Sequence, residues 1–256
     1  MELLFDIGNT HTVIGLHFPD QHFKIWRTGT KSFETEDELF AHLYTLFQFS
    51  NISIDQIDKL GVASVIPSVN YMFTKLGQKY FKTDTVFVTS NARIFDIEYQ
   101  TDYPQEIGAD RLANVIAAKK EYGDNVIAID FGTAITIDLL QHGNFTGGAI
   151  LPGFTTAMLA LFSNTAQLPQ VELLIPEHNI GTNTIDNIQI GILKIPILGI
   201  ERLIEEIQSE TSTEYTIVYT GGTGKLLQGR TKIFQHYDPD LTLKGIWYFL
   251  HYAQET

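Results

Sequence analysis

The sequence predicts an α/β protein built from two similar halves. Three observations carry that reading. Short apolar runs, such as residues 60–65 and 86–88, alternate with stretches whose apolar residues recur at helical spacing. One layout occurs twice, about half a chain apart: residues 3–15, LLFDIGNTHTVIG, and residues 126–138, VIAIDFGTAITID. Each copy reads as a buried strand, a tight turn with an aspartate at the bend, and a return strand. Finally, 256 residues with 44% hydrophobic and 18% charged content are enough for one large domain or two, each with a substantial core.

Charge and composition remove several function classes. The formal charge is −13, from 30 acidic and 17 basic residues, which repels a phosphate backbone and argues against nucleic acid as a partner. There is no cysteine, so disulfides, thiolate metal sites and a cysteine nucleophile are excluded, and a cytoplasmic location is expected. The opening MELLFDIGNT has no basic region before its apolar segment and is not expected to be a signal peptide. No apolar run reaches the roughly 18 residues of a membrane span.

In chain order, residues 3–5 form a strand ending at Asp6. Ile7, Gly8, Asn9 and Thr10 make a turn in which Gly8 permits close backbone approach, and residues 13–18 run back as its partner. A plain hairpin and a phosphate-holding turn both fit this copy. Residues 23–27 predict a third strand. Residues 34–48 predict a surface helix, with Leu39, Phe40, Leu43, Leu46 and Phe47 on one face and an acidic first turn that suits the helix dipole. Residues 91–105 read as a loop, with Tyr99, Tyr103 and Pro104. That loop delivers Gly108, Ala109, Asp110 and Arg111 to the start of a helix through Leu112, Val115, Ile116 and Lys119. Asp110 fits a capping or first-turn acid; it also fits a base, with Arg111 gripping an anionic substrate.

The second copy places Asp130, Gly132 and Thr133 in its turn. Gly143, Asn144 and Phe145 read as a further turn, followed by TGGAILPG, whose glycines imply backbone pressed against a ligand or another strand. Residues 154–162 predict a helix. Thr184 fits an N-cap before a periodic run over residues 185–207 that Pro196 interrupts. Residues 215–219 form a strand leading to TGGTGK, which is neither a Walker A motif nor G-x-G-x-x-G. Residues 241–251 predict a packed terminal helix. Domains are expected at 1–115 and 116–256, with the terminal helix able to pack back on the first.

Two Asp-x-Gly turns offer backbone amides and hydroxyls for phosphate oxygens and aspartates for Mg²⁺ or another hard cation; a third carboxylate can take a proton from an attacking hydroxyl. Asp6, Asp130 and Asp110 supply the three. Histidine spacings for zinc and a G-x-S-x-G elbow are absent.

The ordered set DIGNT (from Asp6), SVIP (from Ser64), GADR (from Gly108), DFGTAITID (from Asp130), GGAILPG (from Gly147), TAQLP (from Thr165) and TGG (from Thr220) resembles the type III pantothenate kinases. These belong to the acetate and sugar kinase, Hsp70 and actin superfamily. The resemblance implies two duplicated ribonuclease-H-like, actin-like ATPase domains, each a mixed sheet flanked by helices. It further implies ATP-dependent phosphorylation of pantothenate, the first step toward coenzyme A, by a homodimer with a shared active site. In this frame Asp6, Ile7, Gly8, Asn9, Thr10, His11, Thr12 and Val13 form the first phosphate turn, and Asp6 helps place Mg²⁺ with ATP. Thr133 contacts ATP, and Asp130 binds the monovalent cation, K⁺ or NH₄⁺. Gly108, Ala109, Asp110 and Arg111 hold pantothenate, Asp110 as the base, and Thr184 reaches substrate from the neighbouring subunit. Where the family carries a substrate-contacting Tyr, this chain has Thr101; Tyr103 and Tyr99 both lie near. The alternatives are a kinase of the same fold with another small acceptor and a non-catalytic regulatory relative.

Overall fold

The computed structural model describes residues 1–165 and 167–254. Ala166, within the TAQLP stretch, lies outside the described residues, as do the last two. The chain divides into two compact units: residues 1–121, 143–145 and 240–256, and residues 122–142 and 146–239.

The first unit is built on a five-stranded mixed sheet. Its strands are β1 (Glu2–Ile7), β2 (His11–His17), β3 (Phe23–Gly29), β4 (Lys59–Ser64) and β5 (Thr85–Phe87), in the order β3-β2-β1-β4-β5. β1 is central because it is apolar on both faces: Leu3, Leu4, Phe5 and Ile7 are all buried. It runs antiparallel to β2 and parallel to β4. Helix α1 (Glu36–Phe49) covers one face with Leu39, Leu43 and Phe47. A capping box starts it, Thr35 Oγ1 accepting from the Glu38 N–H and Glu38 Oε2 from the Thr35 N–H.

Helix α2 (Asn70–Leu76) continues as a π-helical turn, Gly77–Phe81, and has no counterpart among the elements that the sequence pattern predicts. Helix α3 (Ala109–Tyr122) follows the predicted loop, which is held to the unit by an isolated bridge between Tyr99 and Phe145.

The second unit repeats the design. Its strands are β6 (Val126–Phe131), β7 (Ala134–Gln141), β8 (Asn144–Pro152), β9 (Thr216–Thr220) and β10 (His236–Tyr237), in the order β10-β9-β6-β7-β8. β6 runs antiparallel to β7 and parallel to β9, as β1 does to β2 and β4. Asp6 and Asp130 therefore hold equivalent places, each next to last on the central strand of its sheet. Helices α4 (Phe154–Asn164), α5 (Thr184–Gln189) and α6 (Ile195–Thr211) contribute to one core with Ile127, Ile129, Phe131 and Ile217.

Two local readings are corrected. Asn144 and Phe145 already belong to β8; the bend is at His142 and Gly143, both at positive φ. The run expected to break at Pro196 stays helical: Pro196 is the second residue of α6 and directly follows the π-helical turn Ile190–Lys194 that joins α5 to α6. Helix α7 (Leu241–Tyr252) completes the first unit, packing on β1 and β4. Its Gly245 meets the backbone of Ala113 so closely that a Cβ would stand 2.7 Å from the Ala113 Cα and closer to the carbonyl. Among the described residues no helix is long and apolar enough to cross a membrane.

Candidate active site

At the end of β1, Asp6 is half-buried and the chain turns at Gly8, whose N–H donates to the His11 carbonyl (3.0 Å). Asn9, Thr10 and His11 are exposed at the tip, whereas Thr12 is buried. Thr12 Oγ1 lies 3.1 Å from Thr30 Oγ1, and Thr30 Oγ1 donates to the Gly8 carbonyl (2.7 Å). Thr30 thus fixes the turn from behind. Sequence reasoning missed it because its partners lie about twenty residues away, and nothing in the local run Thr28-Gly29-Thr30 marks them. Ile7 and Val13 belong to the paired strands, with Val13 opposite Asp6.

Val65 joins this turn to the start of α3. Its N–H donates to the Ile7 carbonyl (3.1 Å), and its Cγ1 would stand 3.6 Å from a Cβ on Gly108. That is the role of the SVIP stretch. Gly108 accepts from the Leu112 N–H through its carbonyl (3.0 Å), and Ala109 opens the helix, so Asp110 sits in the first turn and is not the N-cap. Its Oδ1 accepts from the Arg111 N–H at 2.8 Å. The same oxygen would be 2.5 Å from a Cβ on Gly108, so glycine there lets the carboxylate sit against backbone. Burial pushes the Asp110 carboxyl above its ordinary value of 3.8, against the opposing pull of the Arg111 N–H and guanidinium. The guanidinium lies over the Phe145 ring, 5.6 Å from its centroid.

In the adjoining loop, Tyr103 is 60% exposed. Tyr99 differs: its hydroxyl is buried without a hydrogen-bond partner, as is Thr101 Oγ1. Burial raises the Tyr99 pKa to about 12, keeping the hydroxyl protonated and able to donate.

In the second unit, three segments converge on the Asp130 turn. Gly132 donates its N–H to the Ala134 carbonyl (3.0 Å), which closes the turn. A Cβ on Gly153 would fall 2.6 Å from the Thr133 carbonyl, which also accepts from Thr156 Oγ1 at 2.6 Å. Gly221, at φ +91°, lies across the other side; a Cβ there would be 2.6 Å from Phe131 backbone atoms and closer still to Asp130 Oδ1. Thr223 bonds the Phe131 carbonyl through both N–H (3.1 Å) and Oγ1 (2.9 Å). The glycines of LPG and TGG are thus places where backbone meets the aspartate turn. Gly148 by contrast presses on the Ile137 backbone of β7, so one of the glycine pair serves strand packing.

Thr184 is exposed at the first residue of α5. The N-cap is Asn183, whose Oδ1 accepts from the Asp186 N–H (3.0 Å); the expectation that Thr184 caps this helix is corrected by one residue.

Each half thus carries an Asp-x-Gly turn at the end of the central strand of a mixed sheet. Solved structures of low sequence identity share the fold. A Campylobacter jejuni protein assigned to the Baf family matches with a TM-score of 0.59 at 23% identity, over 96% of each chain. A Listeria monocytogenes protein assigned as an N-acetylmannosamine kinase matches with 0.51 at 12%, over 97% of this chain and 98% of that one. The chain belongs to the type III pantothenate kinase family, whose profile matches residues 2–206. The type III pantothenate kinase of Petrotoga mobilis is 54% identical over 97% of each chain. That of Kosmotoga olearia is 43% identical over 97% of this chain and 95% of its own.

Proposed function

We propose that this enzyme transfers the γ-phosphoryl group of ATP to the primary hydroxyl of pantothenate, giving 4′-phosphopantothenate at the first step of coenzyme A biosynthesis. Family membership supplies the substrate, and the setting of Asp110 carries the chemistry. A half-buried carboxylate with a raised pKa, oriented through one oxygen by the Arg111 N–H, is suited to take the hydroxyl proton as the oxygen attacks phosphorus. Arg111 matches the pantothenate carboxylate in charge. Gly108 and Ala109 bring backbone close to the substrate, and the Tyr99 hydroxyl, buried without a partner, supports Tyr99 over the exposed Tyr103 as a hydrogen-bond donor to it.

The turn from Asp6 to Val13 holds the phosphates. Asn9, Thr10 and His11 face solvent, while Thr12 shapes the turn through Thr30. Among the described residues no group of three or more His, Cys, Asp or Glu side chains could enclose a metal. Single carboxylates at Asp6 and Asp130 fit a different pattern, in which phosphates and water complete the shell; Mg²⁺ binds in that way. Bound at Asp6, Mg²⁺ would neutralise charge on the transferred phosphoryl group. Asp130 would hold K⁺ or NH₄⁺, and Thr133 would meet ATP.

A homodimer fits the exposed Leu159 and Phe162 of α4 and the exposed Ile185, Ile195 and Leu198 along α5 and α6. A second copy covering these residues would be the source of the Thr184 that meets the substrate. Absolute mass measured in solution tests this, and a monomer at micromolar concentration would overturn it. The cytoplasm, where ATP is available, is the compartment this reading requires.

The decisive assay is pantothenate-dependent ADP release with K⁺ present, beside a panel of sugars and small hydroxy acids. Turnover with pantothenate alone is expected. Turnover only with another acceptor would keep the fold assignment and replace the substrate.

A further inference from the structure

Residues 172–183 form a strap without regular structure, yet side chains from the following helix fasten it along its length. Gln189 Nε2 donates to the Glu172 carbonyl (2.9 Å). Asp186 Oδ2 accepts from Asn183 Nδ2 (2.8 Å) and lies 3.3 Å from His178 Nε2. Gly181 is so close to α5 that a Cβ would stand 2.8 Å from the Asn187 nitrogen. The strongest fastening comes from Lys194. Its ammonium donates to three consecutive carbonyls, Pro176 (3.1 Å), Glu177 (2.9 Å) and His178 (2.9 Å).

Three carbonyl oxygens turned to one point repel one another, and a cation between them reverses the sign of that interaction. Hydrogen bonds from an ionised donor are about twice as strong as neutral ones. Lys194 ends a π-helical turn, Ile190–Lys194, inserted between α5 and α6. Such turns add a residue to the helical repeat and rotate the helix beyond them, and they concentrate at functional sites.

We propose that Lys194 is a positioning residue for the substrate: by gathering the carbonyls of residues 176–178 it sets the path of the strap, and so the placement of Thr184 immediately beyond it. This rests on the reading that Thr184 contacts pantothenate. Lys194 itself touches neither substrate in this scheme; it acts through the strap.

The test is steady-state kinetics of the full-length enzyme at saturating K⁺. Lys194→Met is expected to raise the KM for pantothenate ~10-fold while leaving kcat and the KM for ATP within about twofold, the size expected from losing charged hydrogen bonds. Lys194→Ala is expected to recover a lower pantothenate KM when n-propylammonium is added, and not with tetramethylammonium, which has no N–H to donate. An unchanged pantothenate KM in folded Lys194→Met would overturn the proposal. If Lys194→Met does not fold, Lys194→Ala without added amine, which also has no side-chain N–H, takes the same measurement with the same deciding outcome. Thr184→Val is assayed in parallel. If it leaves the pantothenate KM unchanged, the reading of Thr184 fails and this proposal falls with it; if it raises KM while the Lys194 variants do not, only the proposal fails.

Discussion

Gly221→Ala tests the claim that the TGG stretch exists to let backbone close over Asp130. Two costs add. At φ +91° an L-residue pays about 1–2 kcal/mol for the left-handed backbone alone. The new methyl would also stand 2.6 Å from the Phe131 backbone, which is pinned by the central strand of its sheet and cannot swing aside as a side chain would. Overpacking of this kind costs about 1–3 kcal/mol, so the sum is about 2–5 kcal/mol. At about 2–4 °C per kcal/mol for a chain of this size, the melting temperature should fall by roughly 4–20 °C.

Two controls separate the terms. Gly147→Ala has positive φ (+129°) but open space around the new Cβ, so it should show the backbone cost without the clash. Gly199→Ala, inside α6 with open space and ordinary φ, should stabilise by up to about 1 kcal/mol through helix propensity. Thermal unfolding followed by circular dichroism gives the order, with K⁺ activation curves on the same samples. The methyl also crowds Asp130 Oδ1, so if Asp130 holds the monovalent cation, Gly221→Ala should need more K⁺ for half-maximal activity. A melting temperature within a degree of the parent, with unaltered K⁺ activation, would refute the close-packing argument.

Asp110→Asn should bind nucleotide normally and lose turnover by about two or more orders of magnitude, as expected for a missing general base, and near-normal kcat would contradict the role. Because the folded-state pKa of Asp110 is raised, its ionisation costs stability as pH rises above the ordinary 3.8 toward the raised value. The same variant should therefore melt higher than the parent at neutral pH, and the parent's kcat/KM should decline as pH falls through a limb above 3.8. Replacing K⁺ by Na⁺ should lower the rate if Asp130 holds the monovalent cation; equal rates in both salts would count against that assignment. On α7, burial and then Lys59 hold the His251 pKa below its ordinary 6.5, against the opposing pull of Glu2. A histidine with a depressed folded pKa loses stability as pH falls below the unfolded value, so His251→Gln should flatten the stability loss between neutral pH and the acid side, measured by denaturant titration.

The parts legible in the sequence are those whose chemistry is local. A strand, an Asp-x-Gly turn and a return strand announce themselves through a short apolar run and the backbone freedom of glycine within a dozen residues. That is why both central hairpins, and the α/β class they imply, could be read directly. The acidic start of α1 was equally local, its capping box closing over four residues. Helix α2 escaped notice because its π turn disturbs the 3.6-residue repeat on which such reading depends. Thr184 was displaced by one position because Asn and Thr both cap helices, and only the hydrogen bond to Asp186 distinguishes them.

By itself the sequence determined the two aspartate turns, the strand pairs that flank them, and the motif set by which the chain is identified as a type III pantothenate kinase. Only the tertiary structure decided what stands behind those turns. Thr30 reaches back to Gly8, Val65 lies against Gly108, and Gly153 and Gly221 press on the Asp130 turn from segments 20 to 90 residues away. Each of these depends on distance in space between residues remote in sequence. A glycine has no side chain whose type could announce what it will touch, so its meaning appears only when another backbone arrives beside it.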